Sequence, residues 1–304
     1  MSLLVVGTVA FDGLETPFGV RESILGGSAT YIGMSAGYFV DNVNLVSVVG
    51  GDFPTTHIDL LKRKNIDTEG LQIIKEGKTF FWKGKYHVDM NSRDTLDTQL
   101  NVLESFDPVI PENYKDCKYL MLGNLVPAIQ LRVLDQLQNR PKLIVMDTMN
   151  LWMDATMDDL KKMIKRVDVL TINDEEARQL AEENNLVKAA ERIQLMGPSI
   201  LIIKKGEHGA LLFGKEGETF FAPALPLKNV IDPTGAGDTF AGGFMGYLSK
   251  TDDISFNNMK KALIYASTMA SFCVETFGPE GLEILKNDDI ELRRNELIKL
   301  IDLN

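Results

Sequence analysis

Cysteine and histidine are scarce in this chain, with two cysteines and three histidines in 304 residues. Cys117 and Cys273 are far apart and lack paired spacing, which excludes a disulfide framework and a thiolate metal cage. Both are expected as small buried hydrophobes. His57, His87 and His208 share no motif and are expected to be structural. Positive charge is in deficit: 32 Lys and Arg against 43 Asp and Glu leave a net charge of -11. That balance argues against nucleic acid or an anionic membrane as the main partner. No apolar run reaches the roughly 20 residues needed to cross a bilayer. The opening Met1–Gly7 lacks the basic flank of a signal peptide, so the expected location is cytoplasmic. The first strand is not followed by Gly-x-Gly-x-x-Gly, which sets a dinucleotide oxidoreductase aside. Gly77-Lys78-Thr79 resembles the end of a P-loop, but Gln72 stands where the upstream Gly is required and a strand pattern follows.

What is present is an alternation of buried strands and amphipathic helices. Leu3–Gly7, Val43–Gly50, Tyr119–Leu122, Leu143–Met146, Asp168–Ile172 and Ser199–Lys204 read as strands, with helical patterns between most of them. The rhythm predicts a mostly parallel sheet with helices on both faces. Leu211–Phe213 and Thr219–Ala222 predict an antiparallel hairpin at its edge. Residues 14–25, 78–89 and 95–102 break the rhythm and predict a small separate β-sheet. Such a sheet would act as a lid that excludes water.

The most informative stretch is Asp232-Pro233-Thr234-Gly235-Ala236-Gly237-Asp238-Thr239-Phe240. Gly235, Ala236 and Gly237 leave their backbone N–H groups uncovered, and a helix follows, so the turn reads as an anion site at a helix N-terminus. A carboxylate at Asp238 would repel a bound phosphate unless it has a chemical task. That task is to accept the proton of a hydroxyl attacking the phosphate. The competing reading is a Gly-rich helix start with a capping acid. Asp12, close behind the first strand, is placed to accept hydrogen bonds from a polyol. Gly26-Gly27 permits a turn or hinge before a helix. Asn173 and Glu176, three apart at a helix start, form a capping-box pattern. Asn124 and Asp147 sit at strand ends and are candidates for substrate contact.

The long signature strongly resembles that of the ribokinase-like, PfkB-type carbohydrate and nucleoside kinases. The resemblance extends over nearly the whole chain. It implies a ribokinase-like three-layer α/β/α sandwich over 1–304, with lid segments near 13–25 and 77–103. Asp238 would be the catalytic base, and the Gly235–Gly237 amides the anion hole. Asp12, Gly26 and Gly27 match substrate-pocket positions. Asn173 and Glu176 match a motif that organises Mg²⁺ through water. Gly206 and Gly209, in Gly206-Glu207-His208-Gly209-Ala210 after Lys204, match a nucleotide loop, and Gly278 lies near the adenine pocket. Asp232 and Thr234 match positions that help hold a monovalent cation, K⁺, in some members.

Two departures bear on specificity. Tyr31 stands where ribokinases carry a sugar-touching Asn, and Asp147-Thr148-Met149-Asn150-Leu151 differs from the Asp-x-Asn-x-Arg of many sugar kinases. The expectation is ATP-dependent phosphorylation of a hydroxyl on a sugar, with a nucleoside as the alternative acceptor. A non-catalytic ligand-binding regulator on the same fold is the alternative of another class. A homodimer through the lid is also expected.

Overall fold

The computed structural model describes residues 2–302. Its strands are β1 (Leu3–Val6), β2 (Ala10–Thr16), β3 (Gly19–Gly26), β4 (Val43–Gly50), β5 (Ile66–Ile74), β6 (Phe81–Tyr86) and β7 (Arg93–Gln99). They continue with β8 (Tyr119–Leu122), β9 (Leu143–Asp147), β10 (Val169–Asn173), β11 (Ile200–Lys204), β12 (Ala210–Phe213) and β13 (Thr219–Ala222). The helices are α1 (Ser28–Ala36), α2 (Thr55–Arg63), α3 (Pro127–Gln136), α4 (Asn150–Ala155), α5 (Met157–Ile164) and α6 (Asp174–Ala181). After these come α7 (Leu186–Gln194), α8 (Ala236–Thr251), α9 (Phe256–Cys273), α10 (Glu280–Ile284) and α11 (Asn287–Lys299).

Among the described residues a nine-stranded sheet runs β13-β12-β11-β10-β9-β8-β1-β4-β5, parallel except for the β12–β13 edge. Its faces are set by strict alternation. Leu3 and Val5 turn into one core with Phe244, Met245 and Leu263 of α8 and α9. Leu4 and Val6 turn into the other, with Val133, Leu160 and Ala177 of α3, α5 and α6. The chain runs outward from β1 in both directions, so the crevice beyond the strand ends near β1 is the natural ligand position.

The register aligns several strand ends. Thr171 lies opposite Asp147, and Asn173 opposite Lys204, so Asp147, Asn173 and Lys204 all reach the same carboxyl-end edge. A second sheet, in the order β3-β2-β6-β7, stands over that edge. Its β2–β6 pair is parallel and its outer pairs antiparallel.

The expected parallel sheet, antiparallel edge hairpin and small sheet are all present. The small sheet begins earlier than expected: β2 starts at Ala10, so Asp12 lies inside a strand of that sheet. Both cysteines are buried. Strand β5, exposed along part of its length, and the short helices α4 and α10 have no counterpart in the sequence reading, because their apolar patterns are too short or too interrupted to register. Among the described residues no helix is long and apolar enough to cross a membrane.

Candidate active site

The signature helix α8 is drawn tightly onto α1. A Cβ at Gly242 would stand 2.3 Å from Ile32 O, and one at Gly246 would stand 2.9 Å from the Ala36 Cα. The Ser35 hydroxyl also donates to Thr239 O at 2.7 Å. Small residues let the two backbones approach, which brings the start of α8 beside the start of α1. Asp238 and the Gly26-Gly27 pair thereby come to one place.

Gly235 precedes α8 with φ 73°, a left-handed conformation that favours glycine. The Tyr31 ring lies directly against it, 2.5 Å from where a Cβ would stand. Tyr31 is 1% exposed, and its hydroxyl is buried without a hydrogen-bond partner among the described residues. Gly237, in the first turn of α8, lies beside the Lys204 ammonium: a Cβ there would be 3.1 Å from Nζ. The Ala236 N–H donates to Pro233 O at 3.2 Å, closing the turn.

Asp12 is buried, and its carboxylate occupies the space that any side chain at Gly26 would need: a Cβ there would lie 2.0 Å from Oδ2. Gly27, with φ 91°, crosses close over the Thr8 carbonyl. Burial, with Asp232 and Asp238 nearby, pushes the Asp12 carboxyl up to about 7 against a hydrogen bond from the Gly27 N–H.

Around Asp238 lies a mixed-charge cluster. Lys204 Nζ bonds Asp147 Oδ2 at 2.8 Å. Burial would lower the Lys204 ammonium, but Asp147, Glu176 and Asp238 outweigh it and hold the group above its ordinary value. Asp238 is pushed up to about 7 by burial and then by Asp147, while Lys204 and Arg93 pull it down. Glu176 is likewise pushed up to about 7, chiefly by burial.

The Asn173–Glu176 capping box is present in full. Asn173 N–H donates to Glu176 Oε2, and Glu176 N–H to Asn173 Oδ1, both at 2.8 Å. The cap leaves Glu176 Oε1 and the Asn173 amide nitrogen outside it. Gly206 and Gly209 shape the turn after β11, with φ 54° and 82°. Asn124 sits apart from this cluster in its bonding: it accepts from Trp152 Nε1 at 2.7 Å, and its amide points at the Met149 sulfur. Gly278 donates its N–H to Asp232 Oδ2 at 2.9 Å.

Arg93 was not singled out in the sequence, and Tyr86 figured there only as one aromatic of the alternating ribbon. Arg93, exposed at the start of β7, lies over Trp82, 5.7 Å from the ring centroid, and its charge reaches Asp238 and Glu176. Tyr86, at the end of β6, accepts a hydrogen bond from the Thr234 hydroxyl at 3.1 Å. The alternating ribbon around residues 78–89 was the available signal, but alternation shows only that a side chain faces one side, not what lies there.

Residues 21–284 match the pfkB family carbohydrate kinase. The chain belongs to this family. A cytidine kinase from Thermococcus kodakarensis is 32% identical over 82% of this chain and 89% of that protein. A nucleoside kinase from Methanothermobacter thermautotrophicus is 24% identical over 91% of each chain. The structure of Burkholderia thailandensis nucleoside kinase in complex with inosine superposes with a TM-score of 0.80 at 20% identity, covering 98% of this chain and 99% of that one. As a pfkB family member this protein is an ATP-dependent phosphotransferase with a hydroxyl acceptor.

Proposed function

We propose that the acceptor is a nucleoside and that Asp238 is the base. The observation that carries this reading is the proximity of two carboxylates, the buried Asp12 and the half-buried Asp238, near an aromatic sheet surface formed by Trp82 and Tyr86. Asp12 would hold ribose hydroxyls, with Gly26, Gly27 and Tyr31 shaping the pocket. Trp82 offers a flat face to a base. It lies across Gly84, where a Cβ would be 2.1 Å from the indole. Similarity to cytidine and nucleoside kinases supports the same acceptor class.

Asp238, pushed up to about 7, can take a proton near neutral pH. As the acceptor O–H bond breaks toward its carboxylate, a new O–P bond forms and the terminal O–P bond of ATP breaks, releasing ADP. The amides of Gly235 and Gly237 and the Lys204 ammonium would receive the charge of the transferring group, whereas the Ala236 N–H, expected to join them, is bonded to Pro233 O. Arg93 would add a second positive charge from above. The Gly206–Gly209 turn and Gly278 would border the nucleotide. We keep Asn124 as a peripheral substrate position, since its amide is engaged by Trp152 and Met149.

The residues fit Mg²⁺ held through water. Three carboxylates, Asp147, Glu176 and Asp238, share the neighbourhood of one Lys204 ammonium, and the Glu176 Oε1 and Asn173 amide lie outside the cap. Among the described residues no three metal-ligating side chains form a closed cage, as suits an ion bound mainly by phosphates and water. When bound, Mg²⁺ neutralises charge on the β- and γ-phosphates. The fit to K⁺ is poorer. Asp232 accepts N–H bonds from Thr234 and Gly278, each at 2.9 Å, and the Thr234 hydroxyl is bonded to Tyr86. These atoms serve the loop itself, so no step is assigned to a monovalent cation.

A free sugar is the second reading, favoured by the family description. The lid, expected over 13–25 and 77–103, is built on β2, β3, β6 and β7 and so starts at Ala10, and its exposed Phe18, Val20 and Leu96 support it as the face for a homodimer. Substrate-dependent ADP release with Mg-ATP, across nucleosides, pentoses, hexoses and ketoses, tests the acceptor. Turnover restricted to free sugars overturns the nucleoside assignment.

A further inference from the structure

We propose that Tyr86 is a positioning residue whose hydroxyl ties closure of the small sheet to the shape of the phosphate-receiving turn. This rests on the reading of the Gly235–Gly237 turn as the transfer site.

The small sheet is fastened to the main body by a compact apolar cluster. Leu14 and Tyr86 from its inner face pack with Phe277 from the segment after α9, joined by Ile24, Trp82, Met90 and Ile231. Arg21 of β3 covers the Phe277 ring, 4.3 Å from its centroid. Any apolar ring at position 86 would satisfy this packing. The Tyr86 hydroxyl does something the ring cannot: it accepts from Thr234 Oγ1 at 3.1 Å, across 148 residues of sequence.

Thr234 is a poor residue to disturb. Its N–H donates to Asp232 Oδ1 at 2.9 Å, and its carbonyl faces Cys273 Sγ at 3.5 Å. The other Asp232 oxygen takes the Gly278 N–H, and Gly278 in turn abuts Ile24 of β3. The small sheet therefore reaches the Asp232–Thr234 segment twice, directly at Tyr86 and through Gly278 at Ile24. The next residue is Gly235, whose left-handed conformation starts α8 and sets the direction of the Gly235–Gly237 amides. A change in Thr234 passes straight into that turn.

When the sheet lifts to admit an acceptor, the Tyr86–Thr234 bond must break. When it closes, the bond reforms and fixes the turn. Phosphoryl transfer is thus favoured only with the sheet shut and water excluded.

The test uses Tyr86→Phe and Thr234→Val, singly and together. Phe keeps the ring and Val keeps the branched shape. Each single variant is expected to lose about threefold to tenfold in kcat, the worth of one net hydrogen bond, with a smaller change in the KM for ATP. The double variant is expected to match the worse single. Losses that multiply in the double variant, or a native kcat for Tyr86→Phe, overturn the proposal.

A second readout needs no turnover. In a Trp152→Phe background Trp82, within the small sheet, is the sole tryptophan. Its quenching by acrylamide should rise in Tyr86→Phe and in Thr234→Val by the same factor. Unchanged quenching in both overturns the latch even if no acceptor has been found. Absence of ADP release from the native protein with every acceptor, alongside raised quenching, counts against the kinase reading and leaves the latch standing.

Discussion

Lys204 Nζ and Asp147 Oδ2 meet at 2.8 Å across the end of β10, joining two strands that are not neighbours in the sheet. This pair sits between two carboxylates pushed up to about 7, Glu176 and Asp238. The ammonium is shared rather than consumed by Asp147. It lowers both of the other groups, and it lies beside Gly237 of the signature turn.

Asp238→Asn should keep the fold and lose about 10²- to 10⁴-fold in kcat, the usual worth of a positioned base. Thermal unfolding and single-turnover transfer would check this together. Near-native turnover would remove Asp238 from the mechanism.

The pH dependence follows from the same group. Asp238 acts ionised, so kcat/KM should rise with pH through about 7 and level off above it. Lys204 lowers the Asp238 value, so Lys204→Met should move this acidic limb to higher pH while reducing the plateau. A limb that moves downward contradicts the arrangement.

Arg93 is exposed, so its loss should change stability by less than about 0.5 kcal/mol. Its charge, however, is felt by both Asp238 and Glu176. Arg93→Ala should lower kcat by about 10²-fold, as for the loss of one donor to a developing charge. Arg93→Lys should recover part of it. Equal kcat in native and Ala proteins would place Arg93 outside the reaction.

Gly26→Ala would drive a methyl group into the Asp12 carboxylate, 2.0 Å away. The expected cost is about 1–3 kcal/mol of stability. The acceptor KM should rise more than the KM for ATP, because Asp12 and not the nucleotide turn is displaced. Denaturant unfolding and initial-rate kinetics would separate the two effects.

The raised carboxylates also set a stability trend. Asp12, Glu176 and Asp238 bind protons more tightly folded than unfolded, so their contribution is full below about 4 and is lost as pH rises through about 7. Glu176→Gln should therefore flatten the fall in Tm between pH 5 and pH 8. An unaltered slope would show that Glu176 keeps an ordinary carboxyl in the folded protein.

The sequence by itself determined the parallel sheet, because buried β-branched runs alternating with amphipathic helices have few other ways to cover both faces. It also marked the signature turn, since Gly-Ala-Gly before an acid-bearing helix reads as uncovered amides at a helix start, although the structure ties the Ala236 N–H to Pro233 O. The Asn173–Glu176 cap was legible for the same reason: its bonds span three residues. Tertiary structure decided what no local pattern holds. Only the register of β9, β10 and β11 aligns Asp147, Asn173 and Lys204. Only the close packing of α8 on α1 sets Tyr31 against Gly235. The strand that holds Asp12 was missed because β2 leaves the main sheet at once to pair with β3 and β6, where Asp12 lies opposite Ile24 and Trp82. Arg93, and the bond of the Tyr86 hydroxyl to Thr234, were invisible because they act by charge and hydrogen bonding across distant segments, which depends on distance in space rather than on sequence.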